Sequence, residues 1–181
     1  MDQTNQLSFR SVAKKSLLLL IIWICMLPSG KAQNLVPNPS FEDFTTCPTT
    51  LGTGGPLQCI PWIGINSADY FNVCGGFLIG VPINILGYQE ARTGAAYAGI
   101  FHKINGGLPE QREYLQAPLL EPMEADVCYE VGYWINLGDT GCGVNQTGVL
   151  FTQGPEPNPF EMTPSLDAGG PFYTDKVNWQ Y

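Results

Sequence analysis

No long stretch of this chain keeps apolar residues at helical spacing. Gly, Pro and Asn interrupt it every few residues, and the 21 glycines and 15 prolines would break most helices. The short runs between them are rich in aromatic and β-branched residues, which suits strands bounded by turns. The pattern predicts strands at 70–73, 95–101, 112–116, 128–137, 148–152 and 176–181. The clearest is CYEVGYWINL, where Tyr129, Val131, Tyr133, Ile135 and Leu137 alternate onto one face. Glu130, Trp134 and Asn136 fall on the other. Residues 52–56 and 153–159 read as loops. No internal repeat of fixed period is present. The expected class is all-β, two packed antiparallel sheets.

The first 32 residues stand apart from this pattern. Arg10, Lys14 and Lys15 precede an unbroken apolar run at 17–27, and Pro28 to Ala32 follows with small residues at Gly30 and Ala32. This is the layout of a secretory signal peptide cleaved after Ala32. A transmembrane anchor needs ~20 apolar residues, about twice this run. A lipid anchor at Cys25 is disfavoured by the bulk of Ile22, Trp23 and Ile24 before it. Residues 33–181 then form the exported chain, the length of one domain.

Removing the leader changes the charge balance. It holds four of the eight Lys and Arg but one of the sixteen Asp and Glu, so residues 33–181 carry four cations, fifteen acids and a net charge of −11. Such a surface repels phosphate backbones and anionic lipids, which argues against nucleic acid and membrane docking. Five cysteines remain: Cys47, Cys59, Cys74, Cys128 and Cys142. In an oxidising compartment disulfides are expected, with one thiol left over. Zinc would want CxxC pairs or clustered histidines, and the sole histidine is His102.

The exported chain opens with NLVPNPSFEDF. Pro37 and Pro39 cannot donate to a ladder, so the segment suits a sheet edge, pinned by Leu35, Val36 and Phe41. Glu42 and Asp43 offer hard oxygen ligands of the kind Ca²⁺ prefers. A solvated acidic pair is the simpler reading, so no cofactor is expected beyond a possible structural Ca²⁺.

This opening resembles bacterial carbohydrate-binding modules of the galactose-binding-like jelly-roll type. Over 34–181 the chain more closely resembles the N-terminal domain of secreted surface proteins of gliding bacteria that use type IX secretion. The residues that carry the likeness are NLVPNPSFEDFTTCPTTLG, PWIG…SADYFNVC, VPINILGYQEARTGAAYAGI, REYLQAPL and CYEVGYWINLGD. The resemblance implies a non-catalytic jelly-roll β-sandwich, exported to the cell surface or associated with the outer membrane. Relatives carry further domains, such as an OmpA-like or a C-terminal sorting domain, and 33–181 contains neither. The likeness also implies a Cys47–Cys74 disulfide. Cys59, Cys128 and Cys142 are additions to the pattern. A Cys128–Cys142 bond would join the ends of a strand-and-turn unit and leave Cys59 free. The chain stops at Tyr181 in the middle of the expected fold, so one or more closing strands are expected beyond it.

A search for catalysis finds no HExxH, GxSxG, Walker loop or GxGxxG. The loop Gly-Thr-Gly-Gly at 52–55 has no helix after it to cradle phosphate. His102 reads as an exposed loop residue. Glu110, Glu113, Glu121 and Glu124 could supply a glycosidase pair, but nothing in their spacing selects one. The chain is therefore not expected to be an enzyme.

The aromatics Trp62, Tyr70, Phe71, Tyr88, Tyr97, Trp134 and Trp179 are the stronger signal. Flat rings stack on sugar C–H faces, and Asn66, Asp69, Asn72, Gln89 and Arg92 could read hydroxyls. Rings also fill β-sandwich cores, as expected of Tyr129 and Tyr133. Tyr70 and Phe71 point opposite ways, so at most one could face a ligand. The block 69–72 also reads as structural. Arg92 and Arg112 are expected to pair with carboxylates. The candidate ligand residues are Trp134, Trp62, Tyr88, Arg92, Asp69 and Asn72. The function expected is glycan or cell-surface-polymer recognition, with a spacer or adhesin domain as first alternative and a polysaccharide-active enzyme fragment as second.

Overall fold

The computed structural model describes residues 33–52, 55–102, 112–145, 147–155, 165–167 and 173–181, and the fold is that of Leu35–Tyr181. The described residues contain strands and turns but no helix. The strands are β1 (Gly55–Pro56), β2 (Ile63–Ile65), β3 (Asp69–Asn72), β4 (Ile83–Asn84), β5 (Gly87–Tyr88), β6 (Ala96–Gly99), β7 (Tyr114–Gln116), β8 (Gly148–Val149) and β9 (Leu166–Asp167). They pair antiparallel in small sheets: β1-β2-β7, β3-β6, β4-β5 and β8-β9. The class is all-β.

β3 organises the core. All four of its residues are buried. It pairs over its full length with β6, from Asp69 opposite Gly99 to Asn72 opposite Ala96. Successive side chains on a strand leave by opposite faces. Tyr70 accordingly joins Leu57, Cys59 and Ala96, with Phe41, Trp62 and Leu115 packed against them. Phe71 joins Ile79 and Val81, with Leu86, Ala91 and Tyr97 alongside. The Phe71 and Tyr97 rings stack at 5.1 Å. Each of the two rings expected to point opposite ways thus enters a core of its own, and neither is free for a ligand.

The proline-rich opening is a tight turn locked onto this core. Asn38 and Phe41 lie in the left-handed region, with φ of 41° and 63°. Asn is tolerated there because its side chain can replace backbone partners. Asn38 Nδ2 donates to the carbonyls of Asp43 and Ile60, both at 2.8 Å, and its Oδ1 accepts from the Asp43 N–H. The Tyr70 hydroxyl donates to the Phe41 carbonyl at 2.9 Å. Beyond the Phe44–Cys59 bridge, no ladder forms in this segment.

The strand expected at 70–73 is present one residue earlier as β3, and those at 95–101, 112–116 and 148–152 are present in shortened form as β6, β7 and β8. Residues 55–56, read as loop, form β1. The short β2, β4 and β5 were invisible because two or three residues carry no period. The ten-residue strand at 128–137 is a correction. It makes one bridge, Ile135 with Gln180, and Tyr129 and Val131 are exposed rather than core. The Tyr129 hydroxyl instead accepts the Glu124 N–H at 2.8 Å. At 176–181 the strand likewise reduces to the Gln180 bridge. Asp175 accepts the N–H groups of Val177 and Asn178, which curls the chain into a side-chain-capped turn. That geometry holds the Asp175 carboxyl below its ordinary value, chiefly through the Asn178 and Val177 N–H bonds. The loop at 153–159 lies outside the described residues after 155.

Candidate functional site

Three stretches distant in sequence meet on one surface: 87–92, 130–139 and 175–181. They are joined by backbone and ring contacts. Ile135 and Gln180 exchange both N–H···O bonds at 2.8 Å, and Leu137 N–H donates to the Asp175 carbonyl at 3.0 Å. The Trp179 indole N–H donates to the Glu90 carbonyl at 3.0 Å, and its ring meets Tyr97 edge-on at 5.7 Å. Asp139 ties in the β4-β5 hairpin by accepting the Tyr88 N–H at 3.0 Å.

On this surface Trp134 is exposed, although the alternation that set it apart does not hold, since Tyr129 and Val131 on the opposite face are exposed as well. The Arg92 guanidinium carbon lies 3.9 Å from the centre of its ring. Tyr181 packs beside the same ring at 5.2 Å, tilted by 49°. Gly132 makes that possible, because a Cβ there would fall 2.1 Å from the Tyr181 hydroxyl. The hydroxyl reaches the Glu130 carboxylate at 3.4 Å. Tyr88 is also exposed and donates to Glu90 Oε1 at 2.6 Å, a bond that pushes the phenol pKa up.

Two buried amide oxygens in these stretches lack any hydrogen-bond partner: Gln89 Oε1 and Gln180 Oε1. For Gln89 the oxygen is identified by its other end, since Nε2 donates to the Glu90 carbonyl at 3.0 Å. A buried acceptor without a donor costs ~1–3 kcal/mol.

The structure unites Tyr88, Arg92 and Trp134 and separates the other candidates from them. Trp62 is half-buried, donates to the Asn38 carbonyl at 3.0 Å, and packs on Phe41 at 5.1 Å. Asn72 is buried, gives its amide to the Tyr70 hydroxyl at 2.8 Å and accepts the Cys74 N–H. Asp69 is buried and accepts the Gly52 N–H at 2.7 Å. Desolvation pushes its carboxyl up to about 6, the Gly52 bond opposes this, and the charge of Glu113 adds to it. Glu113 is itself buried, accepting from the Ser67 hydroxyl and from the Phe101 N–H. These groups knit loops to strands and do not face solvent.

Other expectations are corrected here. Arg92 pairs with no carboxylate among the described residues; its contact is the Trp134 ring. His102 is half-buried rather than exposed, and its pKa is lowered by burial and then by the Arg112 charge. Cys128 and Cys142 are not joined and carry exposed free thiols. The reason is that 128–137 does not fold back on the segment after it: Ile135 pairs with Gln180 and Val144 with Tyr173. Cys47 and Cys74 are joined, with Cα atoms 5.8 Å apart, and Cys59 is free. Burial pushes the Cys59 thiol up to about 12, which keeps it inert.

Glu42 does not fit a Ca²⁺ ligand. Its two oxygens accept N–H groups from Ala95 at 3.0 and 3.1 Å, and Oε1 also accepts from Ala96. Backbone donors aimed at a carboxylate would repel a cation in the same place. Gly94, at φ +65°, leaves the space, since a Cβ there would lie 2.4 Å from the carboxylate. Asp43 is exposed and uses its backbone to anchor Asn38. Among the described residues no cluster of three or more His, Cys, Asp or Glu is placed to hold a metal. Among them, too, no helix is long and apolar enough to cross a membrane.

Tyr181, Gln180 and Glu90 were missed from sequence. Their role arises from contacts such as Trp179 to Glu90, 89 positions apart, and no local pattern reports such pairs. No family model, no curated protein and no solved structure matches the chain.

Proposed function

We propose that the chain is an exported, non-catalytic recognition module that binds a glycan of the cell surface through the Trp134 face. The supporting observation is the grouping of exposed rings, Trp134, Tyr181 and Tyr88, with the Arg92 guanidinium over Trp134. Sugars present C–H faces for rings and hydroxyls for polar side chains. The Cys47–Cys74 bond and the all-β class accord with the resemblance to jelly-roll domains of surface proteins of gliding bacteria. That architecture and that placement belong to the same proposal.

A glycan array probed with the full-length chain tests the reading. Binding should be present, and Trp134→Ala should weaken it by about 1 kcal/mol or more, because aromatic anchors dominate such contacts. Stability should change little, since an exposed cation–π pair is worth ~0.5–1 kcal/mol. No binding across a broad array would overturn the proposal. The spacer reading is favoured at one point: Trp62, Asp69 and Asn72 all serve the fold. It predicts that Trp134→Ala leaves every interaction of the protein unchanged.

A further inference from the structure

The geometry points to a carboxylated sugar as the ligand of the Trp134 face, a uronic-acid residue whose carboxylate is held by Arg92; this rests on the glycan reading. Three observations converge on it. The first is the state of Arg92. Residues 33–181 hold four cations among fifteen acids, yet Arg92 pairs with none of those acids among the described residues. Its guanidinium rests over the Trp134 ring at 3.9 Å. Ring contact fixes the guanidinium without using its N–H groups. The planar fork matches a carboxylate in two parallel bonds, a geometry Lys does not reproduce.

The second is the state of the acids around it. Glu90 accepts the Tyr88 hydroxyl at 2.6 Å, and Asp139 accepts the Tyr88 N–H at 3.0 Å. Asp175 accepts the N–H groups of Val177 and Asn178. Glu130 receives the Tyr181 hydroxyl at 3.4 Å. The Lys176 ammonium donates to the Asp139 carbonyl. These partners hold the neighbouring acids in place, and none of them is spent on Arg92. A densely charged polyanion would be repelled by them. A single carboxylate in the fork of Arg92 gains a short-range, directional contact that offsets the repulsion.

The third is the exposure of the rings beside it. Trp134 and Tyr88 are both exposed. Flat rings suit the C–H face of a sugar. A uronic acid carries that face and a carboxylate on one ring.

The test titrates the full-length chain with the methyl glycoside of galacturonic acid, which carries a single carboxylate, and with the same sugar as its methyl ester, which keeps the ring and hydroxyls but loses the charge. The acid form should bind about 10-fold tighter than the ester, the size of a charge-assisted bidentate contact. Arg92→Gln should abolish that preference, and Arg92→Lys should recover only part of it, with melting temperatures reporting that each variant is folded. The preference should also shrink as salt is raised. Equal affinity of the unaltered protein for acid and ester, or an Arg92→Gln variant that keeps the preference, overturns the carboxylate assignment and leaves glycan binding intact. Failure of both forms to bind, together with silence on a broad glycan array, overturns the assignment and the glycan reading together.

Discussion

Residues 69–72 and 128–137 both read as aromatic strand segments, yet the first is buried at every position and much of the second is exposed. The difference lies in what surrounds them. β3 is hydrogen-bonded along its whole length to β6 and has a cluster of side chains against each face. The later stretch touches its neighbour at one bridge, and the residues from 121 to 132 are all exposed. Alternation says which side chains share a face. It does not say that anything covers that face.

The sharpest way to break this comparison is to truncate one residue from each stretch. Phe71→Ala should cost about 3–5 kcal/mol, the range for a fully buried aromatic ring. Val131→Ala should stay within ~0.5 kcal/mol, as exposed positions do. Denaturant melts of both variants measure this. Similar losses at the two sites would mean that 128–137 is packed in solution.

The disulfide belongs to the first region and should matter there. Cys47 and Cys74 are 27 positions apart. Replacing both by Ser should cost ~3 kcal/mol by the chain-entropy account of a loop this size. Replacing the exposed Cys128 and Cys142 by Ser should leave the melt unchanged. A melt that responds to the second pair and not the first would reverse the assignment of which region holds the fold.

Asp69 gives a smaller effect with a defined sign. Folding raises its pKa from 3.8 to about 6, with burial as the largest cause. The folded chain therefore holds the proton more tightly than the unfolded chain. The burial penalty of the charged form is complete above about pH 6 and is relieved as pH falls toward 4. Asp69→Asn keeps the oxygen that accepts the Gly52 N–H and removes the charge. Its stability relative to the unaltered protein should rise by about 2 kcal/mol between pH 4 and 7. A pH-independent difference would show that Asp69 is hydrated in the folded chain.

Much of the strand pattern was legible because local chemistry enforces it. The runs around Tyr70, Ala96 and Tyr114 became β3, β6 and β7, bounded where Gly, Pro or Asn intervene. Trp134 was not legible as an exposed ring, because the side chains placed on the opposite face, Tyr129 and Val131, are exposed as well. Asn38 was not legible as a left-handed anchor, since its partners at Asp43 and Ile60 are brought near only by folding. Glu42 read most simply as one of a solvated acidic pair, not as the acceptor for Ala95 and Ala96, 53 and 54 positions away.

What the sequence determined by itself is therefore the class of the fold, several of its strands and the acidic balance of residues 33–181. These come from periodicity, turn chemistry and composition, which act over a few residues or over the whole chain without reference to geometry. Only the tertiary structure decided that Cys128 and Cys142 stay apart, that Trp62, Asp69 and Asn72 serve the fold, and that Arg92 lies on Trp134 beside Tyr181. Those outcomes depend on which distant segments meet. That choice is made by the sum of many small packing and hydrogen-bond terms, none of which is visible in any one stretch of sequence.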